Sequence, residues 1–315
     1  MSAPSDCPHT RINLKTYAVI PVWYGCNNSC SICMLSRVKG RLSTVDFDTY
    51  RALVAALASD DRFDSLILSG AEVTTFPMLE EYVRYAATFR HFRKIQLQTN
   101  GRRLADKRYL EGLVAAGVNE FFISIHGPEA VHDAITGIPG SYAAARDGLK
   151  NLAEFPVTII TNSVLTRFNY HSITSLLGEL SAAPVSEMHL WNFFPMAKTD
   201  RRDLVVSLRD LAALFPGIRA AIESSGKSLV MKGFPECLSS SPPIFITSDF
   251  PLNLIQDVFW VEFAENGFGT CVYKNRCRAG ECWGLSSAYI EKYGDEMAAL
   301  VPFMDDGTVP VTGVY

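Results

Sequence analysis

Short runs rich in β-branched and aromatic residues recur along the first two-thirds of the chain, at 18–24, 65–69, 94–98, 121–125, 157–161 and 188–193. Between them lie longer stretches in which apolar and polar positions follow the helical period, near 47–57, 78–89, 103–116, 142–152 and 171–180. Strands alternating with helices of ten to fifteen residues predict parallel βα units. Gly117 ends the third helical stretch as a C-terminal breaker, and Ser141 is the expected N-cap of the fourth. Six such units suit an α/β fold of the partial (β/α)6 barrel type. A complete eight-stranded barrel needs about 250 residues, and the space before Cys237 is too tight for it.

The text changes after Lys232. GFPECLSSSPPIFITSDFPLN is rich in proline and serine and has little periodicity, and GTCVYKNRCRAGECWG follows. The expected division is therefore an N-terminal extension over 1–17, a barrel over 18–228 and a small cysteine-rich domain over 229–315. The chain has 315 residues and a formal charge of −4. That length buries a large core and leaves room for a second small domain. The near-balanced charge carries no concentrated basic face, which argues against nucleic-acid binding. No apolar run reaches the length of a bilayer span, and no substantial recognition module precedes the barrel.

Chemistry enters with the cysteines. Cys26, Cys30 and Cys33 sit in GCNNSCSICM, and no other cysteine follows before Cys237. On a helical path, an offset of four residues and then three turns the thiolates toward one point. Such thiolates select zinc or an iron–sulfur cluster. A structural zinc wants four ligands, whereas a cubane held by three cysteines keeps one iron open. The spacing resembles the cluster motif of the radical SAM enzymes, with Ile32 where the family commonly has an aromatic residue. The resemblance implies that S-adenosylmethionine chelates the open iron of a [4Fe–4S] cluster and is cleaved reductively to a 5'-deoxyadenosyl radical, which abstracts hydrogen from substrate. It also implies a partial barrel and covers roughly residues 18–195.

The strand ends are read in that light, since ligands gather there in parallel sheets. The second ends in LILSGAEVT, where Gly70, Ala71 and Glu72 resemble the family's two glycines and a glutamate, which hold the amino group of the cofactor. Taken from the residues alone, Glu72 is also a carboxylate suited to the start of the next helix. Thr99, Asn100 and Gly101 in LQTNG read as a turn. Ser124 and His126 share a strand face. The resemblance puts them, with Asn162, in the cofactor pocket; structural turns are the alternative. His126, titrating near neutrality, is a further candidate for a substrate acid or base. His132–Tyr142 resembles a segment of peptide- and metabolite-modifying relatives, with His132 ordering the loop.

Four late cysteines remain, Cys237, Cys271, Cys277 and Cys282, besides Cys7 near the start. They resemble the auxiliary-cluster modules called twitch or SPASM domains, without matching their spacing to the residue, and imply one auxiliary [4Fe–4S] cluster. A structural zinc and no metal are the alternatives. An oxygen-sensitive triplet and the absence of a secretion signal lead to the expectation of a reducing, cytoplasmic location. Arg37, Lys39 and Arg41 follow the triplet and either steer an acidic electron donor such as flavodoxin or ferredoxin or form a solvated loop. The expected reaction is net oxidation of a small molecule or short peptide, as dehydrogenation or ring or cross-link formation. The alternatives are an epimerase or peptide-modifying cyclase and, in other classes, a regulatory scaffold or a zinc-stabilised nucleic-acid-binding protein.

Overall fold

The computed structural model describes residues 12–238, 244–279, 282–296, 300 and 302–303. Cys7 lies outside the described residues. Nine strands form one sheet, all of them parallel to their neighbours, in the order β8-β7-β6-β5-β4-β3-β2-β1-β9. The six expected strands are β1 (Tyr17–Trp23), β2 (Ser65–Gly70), β3 (Lys94–Thr99), β4 (Glu120–Ser124), β5 (Thr158–Leu165) and β6 (Glu187–Asn192). The sheet does not stop there. β7 (Ser228–Lys232) and β8 (Ile244–Thr247) extend it beyond β6, and β9 (Leu252–Asn253) pairs with β1 on the opposite edge. The boundary expected at 228/229 therefore falls inside a strand of the sheet.

The helices are α1 (Phe47–Ala58), α2 (Leu79–Ala87), α3 (Lys107–Ala116), α4 (Glu129–Thr136), α5 (Ser141–Leu152), α6 (Ile173–Ala182), α7 (Leu208–Glu223), α8 (Asp257–Ala264) and α9 (Ser287–Tyr293). Gly117 closes α3 at φ 125°, a backbone setting that favours glycine. Ser141 is not the N-cap of α5. Gly140 holds that position, and the carboxylate of Asp133, from α4, accepts the Gly140 and Tyr142 N–H groups and the Ser141 hydroxyl. A carboxylate from the preceding helix thus replaces the local cap.

The two edges of the sheet are joined by residues 248–251 alone, a link that reaches at most roughly 18 Å when extended. The sheet must therefore curl until β8 and β9 approach each other. Lys15 pairs with Asp249 in this link at 3.4 Å, and Lys232 Nζ donates to the Asp249 carbonyl. The floor of the curl is polar and largely paired within the protein. Glu120 accepts from Tyr17 (2.9 Å) and Gln96 (2.7 Å), while Glu187 accepts from the Ile12 N–H (2.9 Å) and meets His189 at 2.6 Å. With its carboxylates so engaged, the floor leaves the opposite end, where the strands terminate, to face ligands.

Candidate functional site

The loop that follows β1 carries Cys26, Cys30 and Cys33. It is a chain of turns rather than a helix, so the helical offset expected to gather the thiols is not what gathers them. Neighbouring elements do this. The Ser29 and Ser31 N–H groups donate to the Thr136 and Ile135 carbonyls at the end of α4, and Arg202 donates to the Ser31 carbonyl. Ala71 N–H bonds Trp23 O at 2.8 Å and Glu72 N–H bonds Gly25 O at 3.0 Å, stitching the end of β2 to the start of the loop. Gly70 makes this possible. Its φ is +140°, and a Cβ there would stand 1.9 Å from Trp23 O. Burial pushes the Cys30 thiol up to about 12, and the neighbouring Cys33 and Cys26 add to the shift. Thiolates that disfavour one another on one short loop would coexist more readily around a cationic centre.

Glu72 is 1% exposed. Its Oε1 accepts from Thr74 N–H (3.1 Å), Thr74 Oγ1 (2.6 Å) and Thr99 Oγ1 (2.6 Å), and its Oε2 accepts from Asn100 N–H (2.6 Å). Through Thr74 it caps a single 3-10 turn, Val73–Thr75, which partly meets the local alternative for this carboxylate. Burial still holds its pKa above the usual carboxylate range, against those hydrogen bonds. Its backbone bond to Gly25 sets Glu72 beside the residue that precedes Cys26. Thr99 and Asn100 are therefore more than turn residues. With Arg102 they form a hub between the carboxylate and the cysteine loop: Asn100 Nδ2 donates to Asn27 Oδ1 at 2.7 Å. Nothing local in LQTNG signals these contacts, because they span long sequence distances.

Ser124, the last residue of β4, pairs with Asn162, which does not end its strand as expected but lies inside β5, because β5 runs on to Leu165 in pairing with β6. Asn162 Oδ1 is buried without a hydrogen-bond partner. A buried acceptor left open beside the end of β4 fits a ligand hydroxyl or amino group, which is what a nucleoside cofactor presents. His126 is engaged differently. Its N–H donates to His132 Nδ1 (3.1 Å), its own Nδ1 accepts from Val164 N–H (3.2 Å), and its carbonyl accepts from Asn169. Burial, and then His132, lower the His126 pKa to about 3, and burial lowers His132 to about 4. The expectation that His126 titrates near neutrality is thus corrected: the ring is neutral there, and His132 orders the loop.

This pair makes stability pH-dependent. Both folded pKa values lie below the unfolded value of about 6.5, so the unfolded chain takes up protons first as pH falls. Stability is full above about pH 6.5 and is lost as pH falls toward 4, by up to about 1.4 kcal/mol per ring per unit. Between about pH 7 and 5.5, His132→Asn should lose about 1 kcal/mol less than the parent protein in urea unfolding. An equal loss in both would contradict the burial argument.

Cys237, Cys271, Cys277 and Cys282 line one cavity, with Pro235, Tyr273 and Leu285 among its apolar walls. Among the described residues, no three His, Cys, Asp or Glu side chains converge tightly enough to hold a single metal ion. Trp283, beside Cys282, stacks on Phe250 at 4.7 Å, and Phe250 meets Trp191 of β6 at 5.8 Å. Trp283 also joins Phe194, Phe263 and Phe268, and this apolar cluster takes in Cys33 and Met34 of the first loop. The two cysteine groups thus flank one aromatic body. Arg37 and Arg41 pair with Glu262 of α8, which occupies two of the three basic groups of that loop. No helix among the described residues is long and apolar enough to cross a membrane.

A curled parallel sheet with a three-thiol loop and a buried carboxylate at its strand ends, and an open acceptor on the neighbouring strand, defines a cofactor-dependent α/β enzyme. Residues 20–180 match the model of the Radical SAM superfamily, and the chain belongs to that superfamily. The class is that of radical-generating enzymes with S-adenosylmethionine and a [4Fe–4S] cluster. The chain is 24% identical over 158 residues to the sporulation killing factor maturation protein SkfB of Bacillus subtilis, which covers 50% of this chain and 38% of that one. Its fold is similar to that of Streptococcus suis SuiB bound to precursor peptide SuiA: TM-score 0.60, 13% identity, 93% of this chain and 75% of SuiB. It is also similar to anSMEcpe with bound AdoMet, with TM-score 0.55, 15% identity, 66% of this chain and 60% of the other. The chain therefore spans well under half of the curated relative.

Proposed function

We propose that this chain is a radical SAM oxidoreductase that removes hydrogen from a peptide-type or small-molecule substrate, leaving it dehydrogenated, cyclised or cross-linked. Cys26, Cys30 and Cys33 hold the cluster that binds S-adenosylmethionine. Gly70 shapes the turn, and Glu72 meets the cofactor's ammonium. Ser124, Asn162 and the neutral ring of His126 line its nucleoside side. Cys237, Cys271, Cys277 and Cys282, within 229–315, hold an auxiliary [4Fe–4S] cluster, which supplies an electron acceptor when bound. A flavodoxin or ferredoxin supplies electrons in a reducing cytoplasm, and Lys39 remains the available basic group near Cys26.

One observation carries the oxidative reading: four thiols, Cys237, Cys271, Cys277 and Cys282, line a single apolar cavity, and four thiolates are a complete ligand set for a [4Fe–4S] cluster. The SuiB complex with a precursor peptide favours a peptide among the substrate classes. Epimerisation, the second reading, calls for a hydrogen-atom donor, and all seven described cysteines belong to the two groups.

Anaerobic reconstitution tests this directly. Two cubane clusters bring about eight irons per chain. Replacing Cys26, Cys30 and Cys33 together by Ala should halve the iron, and replacing the four late cysteines should remove the other half. Four irons with stoichiometric zinc in the parent protein would sink the auxiliary cluster.

A further inference from the structure

The Asn28 backbone N–H donates to Cys26 Sγ at 3.3 Å. Its side-chain amide nitrogen is buried and makes no full hydrogen bond within the protein. Asn28 stands two residues from both Cys26 and Cys30. It thus gives one backbone donor to a thiol and holds a second, unpartnered donor buried in the same loop. Asn28 is itself 8% exposed and is held in place. Arg102 Nη1 donates to Asn28 Oδ1 at 2.8 Å and to the Asn27 carbonyl at 2.5 Å. The acceptor end of the amide is thereby fixed on the guanidinium, and the donor end must face away from it. Arg102 is anchored in turn by its own N–H on Asn100 Oδ1, at 3.1 Å.

We infer that Asn28, oriented by the Arg102 guanidinium, sets the reduction potential of the cluster that the Cys26 loop carries. Donors on cluster sulfurs and a nearby positive charge stabilise the reduced, more negative form. They raise the potential and ease one-electron reduction by the external donor. Arg102 acts here as a positioning residue, since it reaches the sulfurs only through Asn28. The inference rests on the reading of Cys26, Cys30 and Cys33 as cluster ligands. It adds control of the electron-transfer step to a loop already read as holding the cluster.

The experiment is an EPR-monitored redox titration of the full-length, anaerobically reconstituted protein, following the cluster signal that changes on adding S-adenosylmethionine. Asn28→Asp is the principal variant. It keeps an oxygen for Arg102, so the loop stays held, but it exchanges the amide donor for a carboxylate whose charge acts in the same direction; Asn28→Ala, which removes the donor without adding charge, must therefore shift the potential the same way. Asn28→Asp should keep the parent iron content and show at least a tenfold lower reduced-to-oxidised ratio at fixed poise. That corresponds to a midpoint about 59 mV more negative for one electron. Arg102→Gln should shift in the same direction, and Arg102→Lys, which keeps the charge but not the paired grip, should fall between. Full iron with an unchanged or more positive potential in Asn28→Asp or Asn28→Ala overturns the inference. So does loss of iron from both Asn28→Asp and Arg102→Gln, which would make the contact a structural clamp. A parent protein whose iron content does not depend on Cys26, Cys30 and Cys33 fails the cluster assignment itself. That failure shows in the iron count rather than in the potential.

Discussion

Cys30→Ala should abolish reductive cleavage of S-adenosylmethionine, lowering 5'-deoxyadenosine formation with dithionite by at least roughly a thousandfold. Cys30 is the middle thiol of the loop, and its environment leaves no substitute. The loop is pinned on both sides, at Ser29 and Ser31, by carbonyls at the end of α4. Another side chain cannot swing in without breaking those bonds. Measurable cleavage at a tenth of the parent rate would contradict the assignment.

Glu72 should behave differently, and the contrast separates the cluster from its ligand. Glu72→Gln should keep the iron but weaken cofactor binding, because the amide cannot counter an ammonium and turns an N–H group toward one of the present donors. The sign of the pH effect follows from burial. In the free enzyme the Glu72 pKa is raised, and a bound ammonium favours the carboxylate. Affinity should therefore rise with pH through that pKa, and fall by up to about tenfold for each unit below it. Equilibrium dialysis across pH would read this. The Gln variant should lose the dependence, and an unchanged affinity in it would remove the ammonium contact from the proposal.

How far these features were legible in the sequence depended on the range of the interactions that form them. β1 to β6 were readable because each is a short apolar run set between helical periods. The loop of three cysteines was readable because its spacing is local. β8 and β9 were not, since four and two residues amid proline and serine carry no period. They exist because the curled sheet offers edges to pair with. The capping of α5 by Asp133 was hidden for a similar reason: Ser141 has the right chemistry for a cap, and only the packing of α4 shows that a stronger acceptor already stands there. The hub of Thr99, Asn100 and Arg102 was the largest omission. Its bonds to the cysteine loop cross 73 to 75 residues, and a Thr-Asn-Gly turn gives no sign of them. His126 was mistaken in character rather than in place. A histidine at a strand end reads as a titrating group until its burial is known.

The late cysteines should affect the outcome of the reaction rather than its initiation. Cys277→Ala or Cys282→Ala should leave cofactor cleavage within about twofold of the parent while net product falls by at least roughly a hundredfold. The first loop does not depend on these residues for its backbone bonds, which run to α4, β1, β2 and the hub. Trp283, between Cys282 and Gly284 of the cavity they line, stacks on Phe250, which meets Trp191 of β6, so a missing acceptor there should leave the substrate without an outlet for its electron. Turnover of candidate peptides in deuterated water, read by mass spectrometry, distinguishes the two chemistries. Product about two mass units lighter than substrate, with one cofactor consumed per event, fits dehydrogenation or ring closure. Gain of a single deuterium at unchanged oxidation state means that hydrogen was returned rather than lost, which would defeat the oxidative reading. Loss of cofactor cleavage in the late-cysteine variants would show instead that these thiols hold the scaffold together, and the apolar cavity would then have to be read as a structural joint.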